Sequence, residues 1–134
     1  MQIVDVLVRY AIGIDERDWS AFRSCWMPEV LADYGDFGVF SDRDVITRAM
    51  QIAHDPMGPT YHRMSNLHVA VDGDWATARS FVHAVLVLSP DDPGSWHDVI
   101  GSYDDVFVRS EGGWRISRRR VHIGRTITSS QTFA

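Results

Sequence analysis

Apolar residues fall at positions 3, 4, 7, 8, 11, 12 and 14, a spacing that fits a helix better than strict alternation and predicts one across 3–14. Asp18 offers an N-cap for a second helix, in which Trp19, Phe22, Cys25 and Trp26 share helical spacing and Pro28 forces the end. Two short helices therefore flank Asp15. Residues 30–40, with Tyr34, Gly35, Gly38 and Phe40, read as a short strand and turn. Ser41 and Asp44 form a capping-box-like start for a third helix carrying Val45, Ile46, Ala49, Met50 and Ile52, and 54–59 reads as a loop.

After that loop the period changes. Strands are predicted at 61–71, 75–89, 96–109 and 113–124, separated by Asp72-Gly73-Asp74, by the proline- and glycine-bearing stretch 89–95, and by Ser110-Glu111-Gly112-Gly113. Helices first and consecutive antiparallel strands after give an α+β fold in one domain, 1–134, with helices packed on one face of a curved sheet. In the second of these strands Phe81, His83, Val85 and Val87 share one face while Val82, Ala84, Leu86 and Leu88 share the other. Both faces are rich in apolar residues, which predicts a homo-oligomer, dimer or trimer, with one face on the helices and the other on a partner subunit. In the last strand Trp114 and Ile116 have one parity, Val121 and Ile123 the opposite. A bulge near Ser117 or Arg118 returns all four to one face and turns Arg119 inward with them.

Composition narrows the chemistry. The chain has 134 residues, and all thirteen basic ones are arginine. With no lysine there is no Schiff-base amine, no pyridoxal phosphate site and no Walker A loop. Proton abstraction falls to carboxylate or imidazole. A net charge of −5 and a pI near 5.6 argue against a nucleic-acid partner, which needs a concentrated basic face. The single cysteine, Cys25, forms no internal disulfide and reads as a small buried hydrophobe. No apolar run approaches the ~20 residues of a membrane span, so a cytoplasmic protein without a membrane partner is expected. His54, His68, His97 and His122 lack metal-ligand spacing, so no metal and no cofactor are expected. Asp91-Asp92 and Asp104-Asp105 read as solvated turn or edge charges.

Two residues carry candidate chemistry. Asp15 ends the first helix, where it either caps the helix or serves a site; His62 opens the first long strand, where it is either structural or a base. A histidine, with an ordinary pKa near 6.5, can take a carbon-bound proton and return it to a leaving hydroxyl near neutral pH. A carboxylate on its other nitrogen fixes the tautomer and stabilises the imidazolium.

Together with Tyr10-Ala11-Ile12-Gly13-Ile14-Asp15-Glu16-Arg17-Asp18-Trp19, the segments Ala32-Asp33-Tyr34, His62-Arg63-Met64-Ser65-Asn66-Leu67 and Gly112-Gly113-Trp114-Arg115-Ile116 resemble the SnoaL-like group of the nuclear-transport-factor-2-like superfamily. Within it the likeness is to the scytalone dehydratase, bile-acid 7α-dehydratase and hexachlorocyclohexane dehydrochlorinase branch. The resemblance implies a cone-shaped, strongly curved, mainly antiparallel sheet wrapped around the N-terminal helices and enclosing an apolar pocket. It implies a catalytic dyad of Asp15 and His62, with Tyr10 and Arg119 as further catalytic residues. Tyr10 stands where the dehydrochlorinase has lysine, which points to oxygen polarisation over dehalogenation. Tyr34, Trp26, Phe22, Met64 and His83 are implied as substrate-binding, as are Val85, Tyr103, Val121 and Ile123. Arg118 and Arg120 are expected to face solvent or a subunit interface.

The expected activity is a cofactor-independent, dehydratase-like lyase acting on a hydrophobic cyclic, steroid- or polyketide-like substrate. A ketosteroid-type isomerase or polyketide cyclase needs the same dyad. Two further readings are a non-catalytic module binding a small hydrophobic molecule and an accessory subunit resembling the small subunit of ring-hydroxylating dioxygenases.

Overall fold

A computed structural model describes residues 2–129. Three helices, α1 (Ile3–Asp15), α2 (Trp19–Ser24) and α3 (Arg43–His54), pack against one sheet. Its strands are β1 (Trp26–Asp33), β2 (Val39–Phe40), β3 (Thr60–Asp72), β4 (Trp75–Ser89), β5 (Asp92–Ser110) and β6 (Gly113–Thr128). The spatial order is β2-β1-β6-β5-β4-β3. Among the described residues only β1 and β6 run parallel; the other neighbours are antiparallel. The result is the α+β architecture expected, a curved sheet left unclosed along its edges.

The first helix buries Ile3, Val6, Leu7, Tyr10, Ala11 and Ile14, one stripe at helical spacing, and leaves Val4, Val8 and Ile12 about half exposed. Its docking depends on Gly13, where a Cβ would lie 2.9 Å from the Phe22 backbone nitrogen. Asp18 caps α2 as expected, its carboxylate accepting from Ala21 N–H at 3.0 Å. That helix ends at Ser24, earlier than the spacing predicts, because Trp26 already enters β1. Pro28, which has no N–H for a ladder, lies where the β1–β6 register shifts between Trp26 and Leu31. The third helix is capped by Asp42, not Ser41: the Asp42 carboxylate accepts from Asp44 and Val45 N–H. The 89–95 stretch is shorter as a turn than expected, since β5 begins at Asp92.

The register of β6 places Ile116 opposite Phe107 and Arg118 opposite Val106, so Ser117 is an extra residue. Trp114, Ile116 and Arg119 are buried, whereas Arg118 and Arg120 are exposed. The bulge thus changes the inward parity from even to odd at the point where the strand passes from the core toward the open end of the sheet. Residues 126–128 extend β6, and Ser129 bonds back to Trp96. The sequence leaves the tail from Thr126 to Ala134 free to cover the pocket, swap onto a neighbour or stay disordered; its residues 130–134 lie outside the described ones. No described helix is long and apolar enough to cross a membrane.

Candidate active site

The end of α1 meets the start of β3. Asp15 Oδ1 accepts from His62 Nδ1 at 2.7 Å and from the Thr60 hydroxyl at 2.9 Å, while Oδ2 accepts from the His62 backbone N–H at 2.7 Å. Three donors converge on one carboxylate, the pattern of an ionised acceptor. With Nδ1–H held by Asp15, the His62 ring presents Nε2 to the cavity it lines.

Arg17 holds this junction, and nothing in the sequence pattern marks it. Its backbone is left-handed, φ 58°, uncommon for a residue with a Cβ. The turn brings the guanidinium back over the helix end, where it donates to Ile14 O at 2.9 Å, Gly58 O at 2.8 Å and His54 O at 3.2 Å. It also donates to Thr60 Oγ1 at 2.8 Å, and Thr60 in turn donates to Asp15. One side chain therefore ties α1, the end of α3, the following loop and β3 together around the dyad.

A second polar group lines the same cavity. The Tyr10 hydroxyl lies 2.7 Å from that of Tyr34 and 3.4 Å from that of Tyr103, and Arg119 Nη1 donates to Tyr34 at 3.2 Å. The Arg119 guanidinium lies over the rings of Tyr10 and Tyr103, 4.3 and 3.8 Å from their centroids. Its other nitrogens form a fork on Asp105, 2.7 and 2.9 Å, with both side chains fully buried. Asp105 is thus no solvated edge charge. It occupies an inward position of a 19-residue strand, while its neighbour Asp104 faces outward to Arg79 and His122.

Burial pushes the phenols of Tyr10, Tyr34 and Tyr103 above their ordinary range, with Arg119 pulling the other way. All three therefore stay protonated. Three hydroxyls joined by two mutual contacts leave one O–H able to donate to a ligand oxygen. Burial raises the Asp105 carboxyl against the pull of Arg119, and it opposes the charge of Arg119, yet Asp105 more than offsets it and holds the arginine cationic.

The cavity has a volume of about 200 Å³, and its apolar wall includes Ile14, Met50, Val82, Ala84, Leu86 and Val99. Tyr10, Tyr34, Tyr103, His62, Val121 and Ile123, all named as candidates from the sequence, also line it. Arg119 reaches it through Tyr34. Other expectations need correction. Phe22 and Trp26 are fully buried behind Tyr10, with ring centroids 5.4 and 5.8 Å from its own, and belong to the core. Met64 packs on the core and not on the cavity. His83 and Val85 fall on the outer face of β4, because the residues buried inward are the even-numbered ones from Ala76 to Ala84. There Arg63 donates to His83 Nδ1 at 3.2 Å and His83 Nε2–H donates to Asp98 at 2.9 Å.

One cavity residue falls where the sequence pattern predicts a loop. His54 is the last residue of α3; its Nδ1–H donates to Met50 O at 2.8 Å, and its ring centroid lies 6.1 Å from that of His62. Burial lowers its pKa to about 4, so it is neutral at pH 7. Among the described residues no three His, Cys, Asp or Glu side chains converge as metal ligands. Burial pushes the Cys25 thiol up to about 12, which leaves it no thiolate character near neutrality.

A profile of the SnoaL-like domain matches residues 1–120. An uncharacterised protein of Mycobacterium tuberculosis, Rv2910c, is 32% identical over 127 residues, covering 89% of this chain and 81% of its own. Among solved structures, a scytalone dehydratase-like protein from Novosphingobium aromaticivorans superposes with a TM-score of 0.85 at 20% identity, over 98% of this chain and 87% of that one. A hexachlorocyclohexane dehydrochlorinase, LinA type 2, superposes with a TM-score of 0.84 at 19% identity, over 98% and 90%. At such identities the likeness establishes the shared fold.

Proposed function

The chain belongs to the SnoaL-like domain family, and from that premise we propose that it is a cofactor-independent lyase of the dehydratase type acting on a small cyclic hydroxy-carbonyl compound. The observation that carries the reading is the presence, on one apolar cavity, of a carboxylate-oriented histidine and a buried cluster of neutral phenols backed by an arginine. Neighbours named for dehydration and dehydrochlorination support elimination. The missing lysine favours loss of a hydroxyl over loss of a halide.

In this reading His62 Nε2 takes the proton beside the substrate carbonyl, and the C–H electron pair moves into an enolate. The enolate oxygen accepts from the spare phenol O–H, whose acidity Arg119 raises, and Asp15 stabilises the imidazolium. The enolate then collapses, the β-hydroxyl leaves as it takes the proton from His62, and the products are a conjugated enone and water. The dyad returns to its starting state. A volume of about 200 Å³, below the roughly 300–1,000 Å³ of drug-sized pockets, favours a one- or two-ring substrate over a full steroid skeleton.

The test is a panel of one- and two-ring cyclic β-hydroxy ketones, with β,γ-unsaturated ketones for the isomerase alternative, followed by the ultraviolet absorbance of the conjugated product. Turnover by the wild type that disappears in His62→Ala supports the dyad; turnover unchanged by that substitution removes it. The exposed Tyr61, Phe81 and Ile100 on the outer sheet face support self-association, which sedimentation velocity at micromolar concentration decides.

A further inference from the structure

His54 is idle in the chemistry described above, yet it lines the same cavity as His62. Its Nδ1–H is engaged by the Met50 carbonyl at 2.8 Å, so the neutral ring carries its lone pair on Nε2. Among the described residues, the enclosed side-chain polar atoms that lack a partner are Trp26 Nε1 and Ser80 Oγ. Nε2 of His54 is not one of these enclosed atoms and has no hydrogen-bond partner among the described residues, and the residue as a whole is only 7% exposed. The residue lines the cavity. Trp19 packs 6.2 Å from the ring, centroid to centroid.

Among the groups around His54, His62 and Arg17 oppose a charge on the ring and Asp15 favours it. Arg17 donates to the His54 carbonyl at 3.2 Å, a cation that discourages a second proton on the ring. Burial acts in the same direction. The ring is thus a fixed acceptor, and the cavity has complementary polarity: donors at the phenols, an acceptor at His54, and the base between the two classes of group in function.

We propose that His54 is a specificity-determining residue that accepts a hydrogen bond from a substrate hydroxyl, so that the cavity selects ligands bearing an O–H over their deoxy or O-methyl counterparts. The inference rests on the reading of this cavity as a ligand site, and it does not require turnover.

The experiment is calorimetric titration of the full chain with 2-naphthol, 2-methoxynaphthalene and naphthalene. One net hydrogen bond predicts that 2-naphthol binds about tenfold tighter than its methyl ether. In His54→Phe that ratio falls to about one while naphthalene affinity is retained; in His54→Gln the side-chain carbonyl restores part of it. The Nε2 resonance of His54 in a long-range proton–nitrogen NMR spectrum shifts with 2-naphthol and not with naphthalene. A preference that survives His54→Phe but vanishes in His62→Ala assigns the acceptor to His62 and overturns the inference. Equal loss of all three probes in His54→Phe overturns it too, since packing alone then explains the residue. If no probe binds the wild type, the cavity reading fails and the inference fails with it.

Discussion

Replacing Asp105 by asparagine keeps the shape of the side chain and removes its charge. In the native fold Asp105 and Arg119 make a two-point contact at 2.7 and 2.9 Å with both side chains fully excluded from water. The arginine cannot discard its proton, so the variant buries an uncompensated cation among the rings of Tyr10, Tyr103 and Trp26. Breaking a buried pair in this way costs about 3–5 kcal/mol, at least about a fifth of the roughly 5–15 kcal/mol that a domain has in total. With a urea dependence of about 2 kcal/mol per molar, the unfolding midpoint falls by about 2 M. Tryptophan fluorescence in a urea titration reads it directly. The double variant Asp105→Leu with Arg119→Met removes both charges; it recovers to within about 2 kcal/mol of wild type while losing the polarised phenol and, with it, turnover. An Asp105→Asn protein within about 1 kcal/mol of wild type, or a double variant less stable than the single one, would refute the claim that this pair is buried and ionised.

Asp15→Asn removes the charge that orients His62 and presents an amide to donors that converge on a carboxylate; kcat/KM on the panel substrate is expected to fall by about 10²–10⁴, and a loss below tenfold contradicts the dyad. His54 has a folded pKa near 4 against about 6.5 unfolded, so between those values the unfolded chain takes up a proton that the folded one resists. Stability therefore drops as pH falls through that window, by about 3 kcal/mol at the low end. His54→Gln lacks that component, and parallel pH dependences of the two urea midpoints from pH 7 to pH 4 would contradict it. Gly13→Ala sets a helix-propensity gain of up to about 1 kcal/mol against overpacking of roughly 1–3 kcal/mol on the Phe22 backbone. A net loss is expected by thermal unfolding, and a more stable variant shows that α2 yields.

The strand order of burial is legible because alternation survives in a single chain: the parity change between Ile116 and Val121 locates the bulge and turns Arg119 inward from the sequence alone. The pairing of Asp15 with His62 was legible only through the family pattern, since forty-seven positions separate them. Asp105 was misread because an acidic pair gives no sign of which member faces inward until the strand's register is known. His83 was assigned to the cavity by likeness, although its odd parity on β4 already set it against Val82 and Ala84. Arg17 and His54 were missed for a common reason. Each acts at the end of a helix, where the chain leaves its periodicity and the backbone geometry, left-handed at Arg17, decides the direction of the side chain.

The chain of hydroxyls over Arg119 has no built-in direction. Tyr34 can donate to Tyr10 and Tyr10 to Tyr103, or the sequence can run the other way, with Arg119 donating to Tyr34 in both cases. Reversal moves three hydrogens and no heavy atom, and it carries the free O–H from the Tyr103 end of the wall to the Tyr34 end. The wall is therefore ambidextrous: it can meet a ligand oxygen arriving in either of two poses. In the proposed reaction, handedness of the product would then be imposed from the other side of the cavity, by His62, whose Nδ1–H is held by Asp15.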